Sequence, residues 1–145
     1  MTMSSPRQLG SHGPRVFPIG LGCMGMSDLY GPADEAESIA TIHAAIDAGV
    51  SLLDTGDYYG AGHNELLIGR ALRDRRDKAV LSVKFGALRA PDGSWIGMDA
   101  RPAAVKNFLA TASGDWASIT STSIGPAGSI RTCRSRTPSA ASPRW

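Results

Sequence analysis

The sequence predicts an α/β fold built on a parallel sheet. Apolar strand-like runs alternate with helix-like segments in the order strand, helix, strand, helix, strand. Each connection is long enough to cross over to a parallel neighbour. The third run, Ala79 to Val83, is almost continuously apolar, which is typical of a strand covered on both faces.

The composition is that of one ordinary globular domain. The chain has 145 residues, 42% of them hydrophobic, and a net charge of +2, which excludes a disordered class for the chain as a whole. Charge is uneven, since residues 111–145 carry four arginines and one acid. These scattered arginines are a weak signal for nucleic-acid or membrane binding, and we expect neither partner.

The cysteine content indicates a reducing compartment. Cys23 and Cys133 are the two cysteines, and their spacing fits neither a zinc site nor a disulfide framework. The polar stretch Met1 to Gly10 lacks the apolar core of a signal peptide, and no apolar run reaches membrane-spanning length. We therefore expect a cytoplasmic protein without a metal site.

The N-terminal segment predicts a small hairpin followed by a glycine-rich strand end. Arg7 to Pro18 reads as two short strands, with Gly13-Pro14 in the turn. Ile19 to Gly25 then forms a short strand and a glycine-rich loop, whose backbone can approach a ligand or simply pack against a neighbouring strand. The spacing does not match a dinucleotide-binding fingerprint.

Two helices are predicted between the strands. The first runs from Asp34, as the N-terminal cap, to a glycine stop at Gly49, with His43 as a packing or surface residue. The second is capped by Asn64 and continues to Leu72. The charged run 73–78 that follows is interpreted as a solvated face and turn.

Beyond the third strand the pattern weakens and then stops. Residues 88–100 predict a loop with a turn at Pro91-Asp92-Gly93, and Pro102 begins a third helix that continues to Ala110. Residues 111–145 contain eight serines and five threonines without a helical or strand period. This composition predicts a low-complexity, disordered tail.

Three polar residues at strand ends form the candidate site. Asp54 and Lys84 each follow a buried apolar run, and Tyr59 lies in the turn after Asp54. A carboxylate, a phenol and an amine are the parts of a proton-donating site. Taken singly, the tyrosine reads as a packing residue and the aspartate as a turn or cap, but a lysine after an apolar strand needs a partner.

Residues 18–110 resemble the N-terminal part of an aldo-keto reductase. The resemblance rests on the stretches Gly20 to Ser27, Asp47 to Val50, Leu53-Asp54-Thr55, Tyr58-Tyr59-Gly60, Asn64-Glu65 and Val83-Lys84. It implies a (β/α)8 TIM barrel opened by an N-terminal β-hairpin, of which about three βα units are present. It also implies reduction of aldehydes or ketones to alcohols with NADPH.

The resemblance assigns roles to individual residues. Tyr59 would protonate the alkoxide, Lys84 would stabilise the phenolate left behind, and Asp54 would hold Lys84 charged and aimed. Contacts with NADP are implied for Gly22, Cys23 and Met24, together with Asp54. The family's fourth catalytic residue, usually a histidine after the fourth strand, has no counterpart. Asp28, Tyr30 and Trp95 are candidate pocket residues, although loop aromatics are as often simple packing groups.

The chain also departs from the family in extent. A complete barrel needs about 250 residues, and the family's contacts with the cofactor phosphates and adenosine come mainly from the last third. The resemblance therefore implies a truncated, inactive form of an oxidoreductase acting on a small carbonyl substrate. The alternatives are a non-catalytic remnant and a small interaction module.

The genetic code offers an explanation for residues 111–145. In an overlapping frame, the codons of Asp115 and Trp116 must encode Leu, and those of Trp116 and Ala117 must encode Gly. The free codon positions permit a reading that begins Tyr-Ser-Leu-Arg-Arg-Leu-Gly-Val-Asp. That reading would continue the third helix and add a fourth strand of the family type, which predicts that the tail is out of frame.

Overall fold

A five-stranded sheet with helices packed against it is the centre of the molecule. The computed structural model describes residues 5–27, 29–115, 120–124 and 130–134. The strands are β1 (Arg7–Gln8), β2 (Arg15–Val16), β3 (Leu21–Gly22), β4 (Leu52–Gly56), β5 (Val80–Lys84), β6 (Ala87–Arg89), β7 (Trp95–Met98), β8 (Thr120–Ile124) and β9 (Ile130–Arg134). The helices are α1 (Glu35–Asp47), α2 (His63–Ala71) and α3 (Pro102–Asp115). Within these described residues, no helix is long and apolar enough to cross a bilayer.

The strand order of the main sheet is β3-β4-β5-β8-β9. β3, β4, β5 and β8 run parallel, and β9 pairs with β8 in the antiparallel sense. The crossovers from β3 to β4 and from β4 to β5 contain α1 and α2. The predicted parallel α/β sheet is confirmed, as is the separate N-terminal hairpin of β1 and β2.

Helix α1 has the boundaries that its sequence predicts. Asp34 caps it, because Asp34 Oδ1 accepts a hydrogen bond of 2.8 Å from the Glu37 amide. Gly49 ends it with φ of +90°, a backbone conformation that glycine adopts without steric cost. His43 packs α1 onto α2 through a 2.8 Å hydrogen bond between its Nε2 and the Ala71 carbonyl.

Helix α2 begins differently from the prediction. It starts at His63, its N-cap is Gly62, and no side chain caps it. The prediction that Asn64 is the cap is therefore wrong. Asn64 lies in the first turn with its side chain turned inward and fully buried, because partners on other segments take up its hydrogen-bonding groups.

The core lies between the sheet and helices α1 and α2. Its side chains are fully or nearly fully buried and mostly aliphatic: Cys23, Ile42, Ile46, Leu53, Leu67, Ile68, Ala71, Leu72, Ala79, Leu81, Val83 and Ala112. Leu53 and Leu81 are cross-strand partners on β4 and β5. The packed core therefore fixes the positions of β4 and β5 and, with them, the positions of their carboxyl ends.

The segment after β5 is a hairpin rather than the predicted loop. β6 and β7 pair antiparallel around the predicted turn at Pro91 to Gly93. Arg89 stabilises this turn, because its guanidinium donates to the Gly93 carbonyl at 2.8 and 3.0 Å. Short strands with exposed apolar residues do not show the alternation from which a strand is predicted.

Arg76 departs from the predicted solvated face. Its Nη1 donates to the Ala79 carbonyl at 2.6 Å, and its Nε and Nη2 are buried. Burial lowers the pKa of the Arg76 guanidinium. The charged run 73–78 is therefore exposed only in part.

Regular backbone continues beyond Thr111, where the composition predicts none. α3 extends to Asp115, β8 pairs with β5, and β9 pairs with β8. Strand pairing uses main-chain groups, so an open strand edge can be filled by a segment whose composition gives no strand signal. The rest of the predicted disordered tail, at 116–119, 125–129 and 135–145, lies outside the described residues.

Candidate active site at the carboxyl ends of the strands

Asp54 and Lys84 meet at the carboxyl end of the sheet. Asp54 lies in β4, Lys84 is the last residue of β5, and the two strands pair in parallel. The Lys84 ammonium donates a hydrogen bond to Asp54 Oδ1, and the two side chains stay 39% and 31% exposed, respectively. The structure thus forms the ion pair that the lysine needs at this position.

Ser82 holds the other oxygen of the same carboxylate. Its hydroxyl donates to Asp54 Oδ2 at 3.1 Å. Ser82 and Asp54 are cross-strand partners, and their side chains share one face of the sheet. Ser82 was not among the residues predicted from the sequence, although a hydroxyl in the otherwise apolar run of β5 was a signal for it.

The ion pair keeps Lys84 protonated. Partial burial opposes the ammonium, but the hydrogen bond and the negative charge of Asp54 outweigh burial, so the pKa of Lys84 is raised. The phenol oxygen of Tyr59 adds a smaller effect in the same direction. Lys84 is therefore a fixed positive charge between a carboxylate and a phenol.

Tyr59 completes the predicted group of three. Its side chain is only 3% exposed, and Lys84 Nζ lies 5.8 Å from the centroid of its ring. That distance is within the range of a cation–π contact. The structure thus places the carboxylate, the ammonium and the phenol in one cluster.

Gly56 makes room for the tyrosine rings. A Cβ at this position would lie 3.2 Å from ring atoms of both Tyr58 and Tyr59. The two rings meet edge to face, with centroids 4.8 Å apart. Burial and a hydrogen bond with Tyr59 raise the pKa of Tyr58 to about 12, so Tyr58 stays a neutral phenol.

The loop that carries Tyr59 has a strained backbone. Gly60, Ala61 and Gly62 have φ values of +57°, +50° and +93°. The conformation is easy for glycine but costs an alanine about 1 kcal/mol or more. Ala61 is the one residue other than glycine with positive φ in the described chain, and it lies two positions after the candidate proton donor.

The glycine-rich turn lies beside Asp54. Gly22 is the cross-strand partner of Asp54, and a Cβ on Gly22 would meet no atom within 4 Å. Met24 is half-buried, whereas Cys23 is fully buried. The Cys23 amide donates to the Asp54 carbonyl at 2.8 Å, and burial raises the pKa of its thiol to about 12. Of the predicted cofactor positions in the turn, Gly22 and Met24 offer accessible surface.

Asp57 links the two strand ends and was not singled out from the sequence. Its amide donates to the Lys84 carbonyl at 3.0 Å, and its Oδ2 accepts from the Gly86 amide at 3.3 Å. Its Oδ1 is buried without a hydrogen-bond partner among the described residues. Burial, opposed by the backbone groups of Gly86 and Tyr58, raises the pKa of Asp57 to about 6.

A cavity of about 450 Å³ lies next to this cluster. Its lining includes Asp57, Tyr58, Leu66, Arg89 and Phe108, but none of Asp54, Tyr59 and Lys84. The cavity is therefore adjacent to the candidate reaction centre and separate from it. The described residues contain no group of three metal-ligating side chains close enough to hold a metal ion.

The candidate pocket aromatics differ in their contacts. Trp95 is 61% exposed and packs edge-on against Tyr58 with centroids 6.4 Å apart. Tyr30 is 76% exposed. Asp28 lies outside the described residues.

A parallel sheet with a charged site at the carboxyl ends of its strands is the arrangement of an α/β enzyme, found both in barrels and in open sheets. The model of the aldo/keto reductase family matches residues 18–111, which is more than half of the chain, so the chain belongs to that family. The fold is the N-terminal portion of the family's TIM barrel. The predicted family and fold class are thereby confirmed.

Similar proteins agree with this assignment. "Probable aldo-keto reductase 1" of Glycine max is 42% identical over 83 residues, which are 56% of this chain and 24% of that protein. The holo form of the aldo-keto reductase AKR11C1 from Bacillus halodurans has a TM-score of 0.68 at 29% identity, covering 78% of this chain and 36% of the other.

An aldo-keto reductase from Klebsiella pneumoniae, solved in complex with NADPH, has a TM-score of 0.56 at 27% identity. The match covers 81% of this chain and 36% of that one. The chain therefore spans about a quarter to a third of the length of these relatives.

Proposed function

We propose that Asp54, Tyr59 and Lys84 are the proton-donating part of a carbonyl reductase site that produces alcohols from aldehydes or ketones. The observation that carries the proposal is the position of the Lys84 ammonium. It pairs with the Asp54 carboxylate and faces the Tyr59 ring. All three residues lie within the stretch 18–111 that the model of the family matches.

Tyr59 is the proposed proton donor. When its phenol gives a proton to an alkoxide, a phenolate remains, and the nearby ammonium of Lys84 stabilises that charge. Asp54 keeps Lys84 protonated through the step, in agreement with the raised pKa of Lys84. Ser82 fixes the carboxylate from its other oxygen.

The residues around Asp54 fit one rim of a nicotinamide site. Gly22 leaves open space next to Asp54, and Met24 offers partly exposed surface. Cys23 is not available as a side-chain contact because its thiol is buried. A bound NADPH would supply the hydride that the carbonyl carbon accepts. Gly22, Met24 and Asp54 are the residues that we propose to line that end of the cofactor.

We further propose that the 145-residue chain is a truncated form that does not turn over by itself. It spans 24% of the plant relative, and in the family the cofactor phosphates are held mainly by the last third of the barrel. An out-of-frame origin of residues 111–145 would explain the low-complexity composition that follows Ala110. The gene tests this point: if no one-base change near codons 109–112 opens a long frame, that origin is excluded.

The chain itself is tested by titration with NADPH followed by nicotinamide fluorescence, and by NADPH consumption with an aldehyde. We expect no saturable binding in the micromolar range and no turnover. Binding together with turnover would overturn the proposed inactivity. A cooperative melt in circular dichroism without NADPH binding would instead support the alternative of a small folded module, and the absence of such a melt would support a remnant.

The proposed chemistry is tested in a chimera. Residues 1–110 are joined in register to the remainder of the Bacillus halodurans reductase, which supplies a whole barrel. We expect aldehyde reduction that Tyr59→Phe lowers by about 10²- to 10⁴-fold, the range of general acid catalysis. Tyr58→Phe is the matched control, and an equal loss in both variants would contradict the role of Tyr59.

A further inference from the structure

The side chain of Asn64 joins three segments beneath the candidate site. It is fully buried in the first turn of α2. Its Oδ1 accepts a hydrogen bond of 2.6 Å from the Thr55 hydroxyl, and its Nδ2 donates to the Cys23 carbonyl and to Ser27 Oγ, each at 2.8 Å. Both amide hydrogens are thus used inside the protein.

The donors and acceptors of this network permit one arrangement. The Cys23 carbonyl can only accept, which places Nδ2 of Asn64 against it and Oδ1 against Thr55. Ser27 accepts from Asn64, and its own hydrogen can then be given to His63 Nδ1 at 2.9 Å. The contacts are mutually consistent without reversing any of them.

We propose that Asn64 is a positioning residue that holds the turn 22–27 in a fixed position relative to Asp54 and the Tyr59 loop. The functional importance of this position rests on the proposed function. Asn64 and its partners join three parts of the site: Cys23 and Ser27 lie in the turn, Thr55 follows Asp54, and Asn64 itself lies five residues after Tyr59.

Hydrogen bonds connect the turn to both strand β4 and helix α2. The Cys23 amide donates to the Asp54 carbonyl on β4, and the Cys23 carbonyl and Ser27 Oγ both accept from Asn64 on α2. Removing the Asn64 amide breaks both of its bonds to the turn. It also takes the acceptor away from the buried Thr55 hydroxyl and leaves the Cys23 carbonyl with the Met26 amide alone. A buried polar group that loses its partner favours opening towards water. The turn is therefore expected to open locally before the rest of the domain unfolds.

Cys23 provides a local probe of that opening. Its side chain is fully buried, and burial raises the pKa of its thiol to about 12. Because the thiolate is the reactive form, labelling requires the turn to open. A Cys133→Ser background leaves Cys23 as the single thiol of the chain.

The experiment measures the rate at which 5,5′-dithiobis(2-nitrobenzoate) labels Cys23 under native conditions, alongside urea unfolding of the same variants. We expect Asn64→Ala to accelerate labelling by about tenfold beyond what its lower global stability explains. Leu67→Ala is the matched control, since Leu67 is fully buried in the core of the same helix. It should accelerate labelling only in proportion to the lost global stability.

A second pair of variants covers the case in which Asn64→Ala does not fold. Thr55→Val keeps the shape and loses the hydroxyl, so it should accelerate labelling, whereas Thr55→Ser keeps the hydroxyl and should label like the parent. Three results would each overturn the proposal. They are equal labelling rates in this pair, labelling of Asn64→Ala in proportion to its global stability, and rapid labelling of the parent. None of these readouts requires NADPH or turnover, so failure of the proposed function is a separate result.

Discussion

The hydroxyl of Ser82 donates a 3.1 Å hydrogen bond to Asp54 Oδ2, while Lys84 occupies Oδ1 of the same carboxylate. The candidate carboxylate is therefore held from two residues of one strand, β5. Its orientation depends on the pairing of β4 with β5, in which Asp54 and Ser82 are direct partners.

Ser82→Ala should lower the free energy of unfolding by about 1–2 kcal/mol, because it removes a hydrogen bond to a charged acceptor. Urea unfolding of the single and double variants with Asp54→Ala measures the coupling. We expect Ser82→Ala to cost much less once Asp54 is absent. An equal cost in both backgrounds would show that Ser82 acts through packing and not through the carboxylate.

Gly56→Ala should destabilise the protein by about 1–3 kcal/mol, because the new methyl group would press on both tyrosine rings at 3.2 Å. The tyrosine band of the near-ultraviolet circular dichroism spectrum should weaken at the same time. Gly22→Ala is the matched control in the neighbouring strand, since nothing lies within 4 Å of its Cβ position. If both variants lose the same stability, crowding of the rings is not the cause.

Ala61→Gly should stabilise the protein by about 0.5–1 kcal/mol, because it relieves a residue with φ of +50°. Thermal unfolding followed by far-ultraviolet circular dichroism measures the change. Ala44→Gly, at an exposed position inside α1, is the control and should destabilise by about 1 kcal/mol. A loss of stability in Ala61→Gly would mean that the loop is not strained at this residue.

Asp57 should give the protein an unusual dependence on pH. Its pKa is raised in the folded state to about 6 from an ordinary value of 3.8, so the unfolded chain releases this proton first. The contribution of Asp57 to the free energy of unfolding is therefore most favourable below about pH 4. It falls as the pH rises to about 6 and stays lower above that pH. The size is roughly 1–2 kcal/mol after solvent screening of a half-buried group.

Asp57→Asn keeps an acceptor for the Gly86 amide and removes the charge. The difference in unfolding free energy between this variant and the parent, measured by urea unfolding at several pH values, isolates the effect. We expect the variant to gain relative stability between pH 4 and pH 6. A difference that does not change with pH would contradict an ionisation of Asp57 in this range.

The main sheet and the candidate cluster could be predicted because they depend on local patterns. The apolar runs of β4 and β5 and the polar residues that follow them are visible in the sequence, and parallel pairing then brings Asp54 and Lys84 together. The cap at Asp34 is equally local, since a carboxylate and an amide three residues apart suffice for it.

The features that the sequence did not predict depend on distant partners. Asn64 has the residue type of a cap, but its hydrogen bonds reach Cys23, Ser27 and Thr55 across the fold. Asp57 is perturbed by its burial between two strand ends, which no neighbouring residue reveals. The β6–β7 hairpin is short and exposed, so it lacks the periodicity on which strand prediction relies.

The direction of β9 has a topological consequence. A (β/α)8 barrel closes when all its strands run in the same direction and the free edge of each strand pairs with the next parallel strand. β9 runs antiparallel to β8, so the strand at this edge of the sheet points in the opposite direction to the parallel series. A fifth barrel strand cannot continue the parallel series unless β9 first gives up its place. β9 therefore competes with closure, and its displacement is the first step that any completion of the barrel requires.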